Sequence, residues 1–289
     1  MTTTLEKLEI LPLSPTIGAE IRGVDLSQPL DDRTVSAIKV AWHDHIVLLF
    51  RDQDVDTEQQ IAFAEHFGDV GTRSRPAERR PEGADYNASI MLVSNIKKDG
   101  EYIGSLPDGE MWFHHDMCYD KAPHKGTFLY AMELPSTGGN TLFANMYLAW
   151  ETLSESLRAF LEDKFALHDG ALPYVGSYGV PPPEGSNYPR NRHPIAPRHP
   201  VTGKRLLYVN SGFTSQIEGL KREESRVLLD MLFRHIERNP RFQCRVRWQP
   251  GTLTLWDNRC TQHHALWDYY PERRYGERVS ILGDAPPSL

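Results

Sequence analysis

Long apolar runs are missing from this 289-residue chain. No stretch approaches the roughly 20 residues that a helix needs to cross a bilayer. The opening MTTTLEKLEILPLSPTIG has no basic segment followed by an apolar one, so neither a membrane span nor an export signal is expected. Cysteine is scarce. Cys118, Cys244 and Cys260 form no CxxC pair and are too few for a disulfide framework, which points to a reducing compartment, the cytoplasm by default. A basic excess is absent too: the formal net charge is -7, the wrong sign for a phosphate-neutralising surface, so no nucleic-acid partner is expected. Local basic clusters remain available to small anions. Internal repeats and low-complexity tracts are also absent, so the fold has to be read from local pattern.

What is present suits a globular protein, with 39% apolar residues to build a substantial core within a single domain spanning 1–289. Leu8 to Val24 mixes short apolar stretches with Pro12, Pro15, Gly18 and Gly23, as short strands joined by turns do. Asp31 or Asp32 can cap a helix whose apolar face is Val35, Ile38, Val40, Ala41 and Trp42. His45 to Phe50 reads as a buried strand, and Thr57 to Phe67 as a second helix ended by Gly68. Further strands are expected at Ile90 to Ile96, Gly126 to Leu134, Thr141 to Ala144, Arg205 to Val209, Phe242 to Trp248, Leu253 to Asp257 and Glu277 to Leu282. Helices are expected at Ala149 to Leu161 and Glu223 to Arg238. Polar segments rich in Pro, Gly or charge suggest loops or lids near 71–85, 97–110 and 171–200. Many short strands with peripheral helices favour a β-sandwich or barrel over a parallel α/β sheet.

Within Trp112-Phe-His-His-Asp-Met-Cys-Tyr119, His114 and Asp116 lie two residues apart, so on a strand both side chains would leave one face. His263, in Thr261-Gln-His-His264, offers a second imidazole. Two imidazoles and a carboxylate form the facial triad of non-haem Fe(II) oxygenases, which leaves coordination positions open. Zinc accepts the same ligands, so ligand type alone does not choose the metal. Arg273, Arg274 and Arg278 follow His263 closely, and arginine's planar fork suits a carboxylate.

Several segments then resemble one known family. They are Leu134-Pro-Ser-Thr-Gly-Gly139, His199-Pro-Val-Thr-Gly203, Leu206-Leu-Tyr-Val-Asn210, Gly212-Phe-Thr214, Arg247-Trp-Gln-Pro250, Trp256-Asp-Asn-Arg259 and Ile281-Leu-Gly-Asp284, together with the HxD segment, Ile17-Gly-Ala-Glu20 and Phe67-Gly68. In that order they resemble the taurine dioxygenase and 2,4-dichlorophenoxyacetate dioxygenase family over nearly the whole chain. The resemblance implies a mainly β fold with flanking helices, the double-stranded β-helix or jelly roll of the clavaminate synthase-like class. It implies Fe(II) held by His114, Asp116 and His263, with 2-oxoglutarate and O2 as co-substrates and succinate and CO2 as products. Thr141 and Arg274 match positions that hold the distal carboxylate of 2-oxoglutarate, and Arg278 matches an arginine near its chelating end and the substrate anion. Arg73, Asn95 and Phe213 join Arg278 in the expected substrate pocket. Arg73 stands where the taurine enzymes carry a sulfonate-contacting histidine, so taurine itself is disfavoured. The expected substrate is a small anion: an aryloxyalkanoate or other carboxylate, a sulfonate or a sulfate ester.

The carboxylate at 116 favours hydroxylation, because related halogenases lack it. His115 and His264 are expected to pack behind the ligands, and Trp256 and Asp257 to support their strand and turn. A homo-oligomer, dimer or tetramer, is expected from the family. A jelly-roll zinc hydrolase and a non-catalytic anion-binding sandwich are the alternatives.

Overall fold

Alternation along the strands decides the architecture. The computed structural model describes residues 8–72, 86–104, 111–175 and 188–289. In chain order the strands are β1 (Glu9–Pro12), β2 (Ala19–Arg22), β3 (Val47–Phe50), β4 (Ile90–Ser94), β5 (Lys97–Lys98), β6 (Glu101–Tyr102), β7 (Met111–His114), β8 (Gly126–Glu133), β9 (Thr141–Asn145), β10 (Phe165–Asp169), β11 (Arg190–Pro194), β12 (Thr214–Ile217), β13 (Gln243–Val246), β14 (Thr252–Asp257), β15 (Thr261–Ala265) and β16 (Tyr275–Ile281). The helices are α1 (Asp32–His45), α2 (Thr57–Glu65), α3 (Met146–Glu151), α4 (Glu155–Leu161), α5 (Leu172–Val175) and α6 (Arg222–Glu237). None of them is long and apolar enough to cross a membrane.

Seven strands form one sheet in the order β1-β2-β3-β14-β8-β16-β4, and four form another in the order β13-β9-β15-β7. Side chains with period 2 send Leu48, Phe50, Phe128, Leu253, Leu255, Val279 and Ile281 to one side of the large sheet, where they pack with Ile38, Trp42 and Phe63 of α1 and α2. Val47, Leu49, Leu129 and Trp256 point the other way and join Phe143 and Val246 of the smaller sheet. Trp256 meets Phe143 at 5.4 Å between ring centroids. Two facing sheets whose neighbouring strands are mostly distant in sequence make a double-stranded β-helix, as expected. Helices cover the outer face of the large sheet.

Local chemistry explains the element ends. Asp31 caps α1 by accepting from Thr34 N at 2.6 Å, and Asp56 with Gln59 forms a reciprocal capping box on α2. The expected helix at Ala149 to Leu161 is instead two. Asn145 starts α3 through bonds to Tyr147 N and Leu148 N, and Ser154 restarts the chain as the cap of α4.

The expected loop at 97–110 begins with a small hairpin. Asp99 and Gly100 take φ of 53° and 87°, the paired left-handed conformation that two-residue hairpin turns require. Residues 105–110 lie outside the described residues, as do 73–85 and 176–187 of the other two expected loops. Within 171–200 the structure adds α5 and β11; β11 pairs with β10, which pairs with β12 in a third sheet. Arg205 to Val209 is not a ladder strand. Residues 206–209 are buried, but Leu206, Leu207 and Tyr208 donate singly to Pro197, Met146 and Ile195.

Buried histidines give the fold a sign in pH. Burial pushes His168 down to about 3, and burial followed by the Arg278 charge pushes His124 down to about 4. The unfolded chain protonates both near 6.5 whereas the native state does not, so stability is complete above that pH and falls below it. We expect a urea midpoint lower at pH 5.5 than at pH 7.5, corresponding to roughly 1 kcal/mol per histidine. An unchanged midpoint would mean that these rings are solvated.

Candidate active site

His114 and His263 are cross-strand partners on β7 and β15, so their side chains leave the smaller sheet side by side on one face. Their ring centroids are 4.2 Å apart. Asp116 departs from the expected strand geometry: β7 ends at His114, and Asp116 opens the turn that follows, just before Met117 at φ 53°. The turn still delivers its carboxylate to the pair. Asp116 Oδ1 lies 3.7 Å from His114 Nε2 and 3.9 Å from His263 Nε2, and one ligand atom from each residue falls within 4.8 Å of the others.

The protonation states suit a cation. Burial raises the Asp116 carboxyl, but the Arg278 charge beside it outweighs this, and the carboxyl is held well below the usual carboxylate range. Burial and then the neighbouring His114 hold His263 well below the ordinary imidazole value, so it is a neutral donor. His114 Nδ1 lies 2.7 Å from Trp112 O and donates to it, so Nε2 is the ring nitrogen turned toward Asp116. Two imidazole nitrogens and one ionised oxygen, buried together, fit a divalent first-row metal.

The other predicted residues divide into several groups. Thr141 lies on β9 two residues before Phe143, the cross-strand partner of His263, and so shares the inner face. Its Oγ1 accepts from the Trp248 indole at 3.0 Å, which leaves its own proton to donate. Arg274 is buried between Trp248 and Tyr269, whose ring centroids lie 5.9 and 5.8 Å from its guanidinium carbon. No carboxylate lies within ion-pair distance of it among the described residues. Gly276 marks a register shift between β16 and β8; a Cβ there would lie 2.7 Å from Tyr130 O, so only glycine allows this approach. Arg278, beyond it on β16, brings Nη2 to 3.0 Å from Asp116 Oδ1, while its buried Nε finds no hydrogen-bond partner among the described residues. Arg273 instead forms an exposed pair with Glu133.

Phe213 lies 5.8 Å from the His114 ring and lines the site. Asn95 has another role: its Nδ2 donates to Glu272 O and its Oδ1 accepts from Arg274 N, both at 2.8 Å. Its amide therefore clamps the segment carrying Arg274 instead of facing a substrate. Arg73 lies outside the described residues. His115 is fully buried against Tyr208 at 4.3 Å, and His264 lies edge-on to Phe113 at 5.1 Å, both on the far side from the cluster.

Trp248 was missed as a site residue, although its motif Arg247-Trp-Gln-Pro250 was visible. A second cluster, His199, Asp257 and Cys260, is structural. His199 Nδ1 accepts from Val201 N and Thr202 N, its Nε2 meets Asp257, and Arg259 takes both Asp257 oxygens, so every strong donor and acceptor is already engaged.

Two facing sheets, a buried imidazole pair with a carboxylate, and two arginines fit a 2-oxoglutarate-dependent dioxygenase of the jelly-roll type, the class to which comparison with known proteins assigns the chain. Residues 9–280 match the family described as taurine catabolism dioxygenase TauD, TfdA family, and the chain belongs to it. That family uses Fe(II), 2-oxoglutarate and O2. The chain is 35% identical over 299 residues to the alpha-ketoglutarate-dependent dioxygenase cnsM of Penicillium expansum, covering 99% of this chain and 81% of that protein. It is 31% identical to the alpha-ketoglutarate-dependent sulfate ester dioxygenase of Pseudomonas putida, covering 97% and 91%. The solved structure of AAD-2 in complex with Mn(II) and N-oxalylglycine superposes with a TM-score of 0.82 at 27% identity, covering 98% of this chain and 99% of that one. These similarities support neither the zinc hydrolase nor the non-catalytic sandwich.

Proposed function

We propose that the chain hydroxylates a small organic anion, with His114, Asp116 and His263 holding Fe(II), and Thr141 and Arg274 gripping the distal carboxylate of 2-oxoglutarate. Arg278 lies near the chelating end of the keto acid and the substrate anion, and Phe213 supplies an apolar wall. The observation that carries this reading is Arg274, a buried guanidinium without a carboxylate partner among the described residues, joined through Trp248 to a threonine hydroxyl that still has a proton to donate. A buried cation left so calls for an anionic ligand.

Bound in this cluster, iron with 2-oxoglutarate and O2 supplies the oxidising power and releases succinate and CO2. The chain's own residues do the rest. The two arginines orient a dianion, the aromatic walls restrict water, and the fixed imidazoles keep the substrate side open. We extend the proposal to one catalytic unit per chain and to assembly as a dimer or tetramer.

The substrate class proposed is an aryloxyalkanoate or other carboxylate, a sulfonate or a sulfate ester. The likeness to a sulfate ester dioxygenase supports the last of these. Succinate formation with Fe(II), 2-oxoglutarate and ascorbate tests it across a panel of all four. We expect at least one member to raise succinate well above the substrate-free background; a flat panel would remove this substrate class.

A further inference from the structure

The geometry points to Thr127 and Asn258 as positioning residues that fix the orientation of Asp116 by occupying its Oδ2, so that Oδ1 alone faces the imidazoles. This rests on the reading of Asp116 as a metal ligand.

Four buried side chains form a relay whose polarity is unambiguous. The Trp256 indole Nε1 can only donate, and it donates to Asn258 Oδ1 at 2.8 Å. The Asn258 amide is thereby turned with its NH2 toward Thr127, and Nδ2 donates to Thr127 Oγ1 at 2.7 Å. Thr127, accepting there, directs its own proton to Asp116 Oδ2 at 2.8 Å. Trp256, Asn258, Thr127 and Asp116 are between 0 and 4% exposed, so water does not compete for these bonds.

Asp116 has need of such a device. His114 and His263 are held by strand pairing and by ring packing against Phe213, Phe143 and Trp256. Asp116 lies beyond the end of β7, in a turn without ladder bonds; Arg278 pairs with its Oδ1, an attraction that either oxygen could satisfy, whereas the Thr127 hydroxyl is bonded to Oδ2 and opposes exchange of the two. Thr127 belongs to β8 and Asn258 to the turn after β14, both from the large sheet, whereas the imidazoles come from the smaller one. The relay thus references the carboxylate of one sheet's turn to the frame of the other. Partners of this kind, bonded to a ligand's remaining atom, usually contribute to affinity as well as geometry.

Three variants separate the hydroxyl from the space it fills. Thr127→Val keeps the shape and removes the proton, Thr127→Ala removes both, and Thr127→Ser restores the hydroxyl. Mn(II) affinity is read from the electron paramagnetic resonance of the free ion. Thermal melting of the metal-free protein checks folding, and Asp116→Ala runs alongside. We expect Thr127→Val and Thr127→Ala to weaken Mn(II) roughly ten- to hundredfold, and Thr127→Ser to stay within about threefold of the parent. If Thr127→Val does not fold, the alanine and serine pair decides. A folded valine or alanine variant that binds Mn(II) like the parent, or a serine variant as weak as alanine, overturns the inference. If Asp116→Ala also binds Mn(II) like the parent, the metal reading fails with it; if only Asp116→Ala loses the ion, the relay alone fails.

Discussion

Replacing His263 with Ala is expected to abolish both the iron-dependent visible absorbance that the account predicts with 2-oxoglutarate and succinate production. The size of the loss follows from ligand count. Structural zinc sites with four protein ligands gain about 10–16 kcal/mol, and on that scale a single ligand is worth roughly 3 kcal/mol, a factor above one hundred in affinity. The loss should be larger in activity, because only His114 and Asp116 would remain to orient the ion. The fold should survive, since His263 packs against Phe143 and Trp256 but has no hydrogen-bond partner for Nδ1 among the described residues. A folded His263→Ala protein with unchanged absorbance would remove this residue from the site.

The second large effect is expected at Arg274. Exchanging it for Met keeps much of the aliphatic bulk between Trp248 and Tyr269 and deletes the charge. Truncating one side of a buried charge pair costs about 2–5 kcal/mol, so half-maximal succinate formation should need roughly a hundredfold more 2-oxoglutarate. Arg274→Lys should recover only part of this, because a point charge does not reproduce the bidentate fork. Arg273→Ala, one residue away, provides the control: its exposed pair with Glu133 is worth at most about 1 kcal/mol, and the co-substrate requirement should not move. Equal responses at 273 and 274 would show that the effect is one of net charge rather than of a built site.

The residues of this proposed site could all be named from the sequence. His114, Asp116 and His263 stood out as a set of two imidazoles and a carboxylate, and Thr141, Arg274 and Arg278 through the family resemblance alone. Of the strands that carry them, β9 and β16 were legible as well, from the segments Thr141 to Ala144 and Glu277 to Leu282. Partners across the fold were less accessible. Nothing local says that Asn258 reaches Thr127, 131 residues away, or that Asn95 clamps Arg274, 179 residues on.

Local pattern reports burial rather than pairing, and both kinds of error follow from that. Leu206 to Val209 is apolar and buried, hence strand-like, yet it lies outside any sheet ladder. Thr214–Ile217, polar and half-exposed, forms β12 only because the polar edge of β10 is there to receive it. The Asp99-Gly100 turn was a readable signal obscured by surrounding charge. Asp116 shows a subtler limit, since the HxD spacing is compatible with a strand or with a strand end, and the two differ in what must hold the carboxylate still.

The most direct measurement is anomalous diffraction at the manganese edge from crystals grown with Mn(II) and N-oxalylglycine. The account predicts one ion bonded to His114 Nε2, Asp116 Oδ1 and His263 Nε2, with the analogue's far carboxylate against Arg274 and Thr141. An ion held elsewhere, or these three side chains turned away from it, would contradict the account.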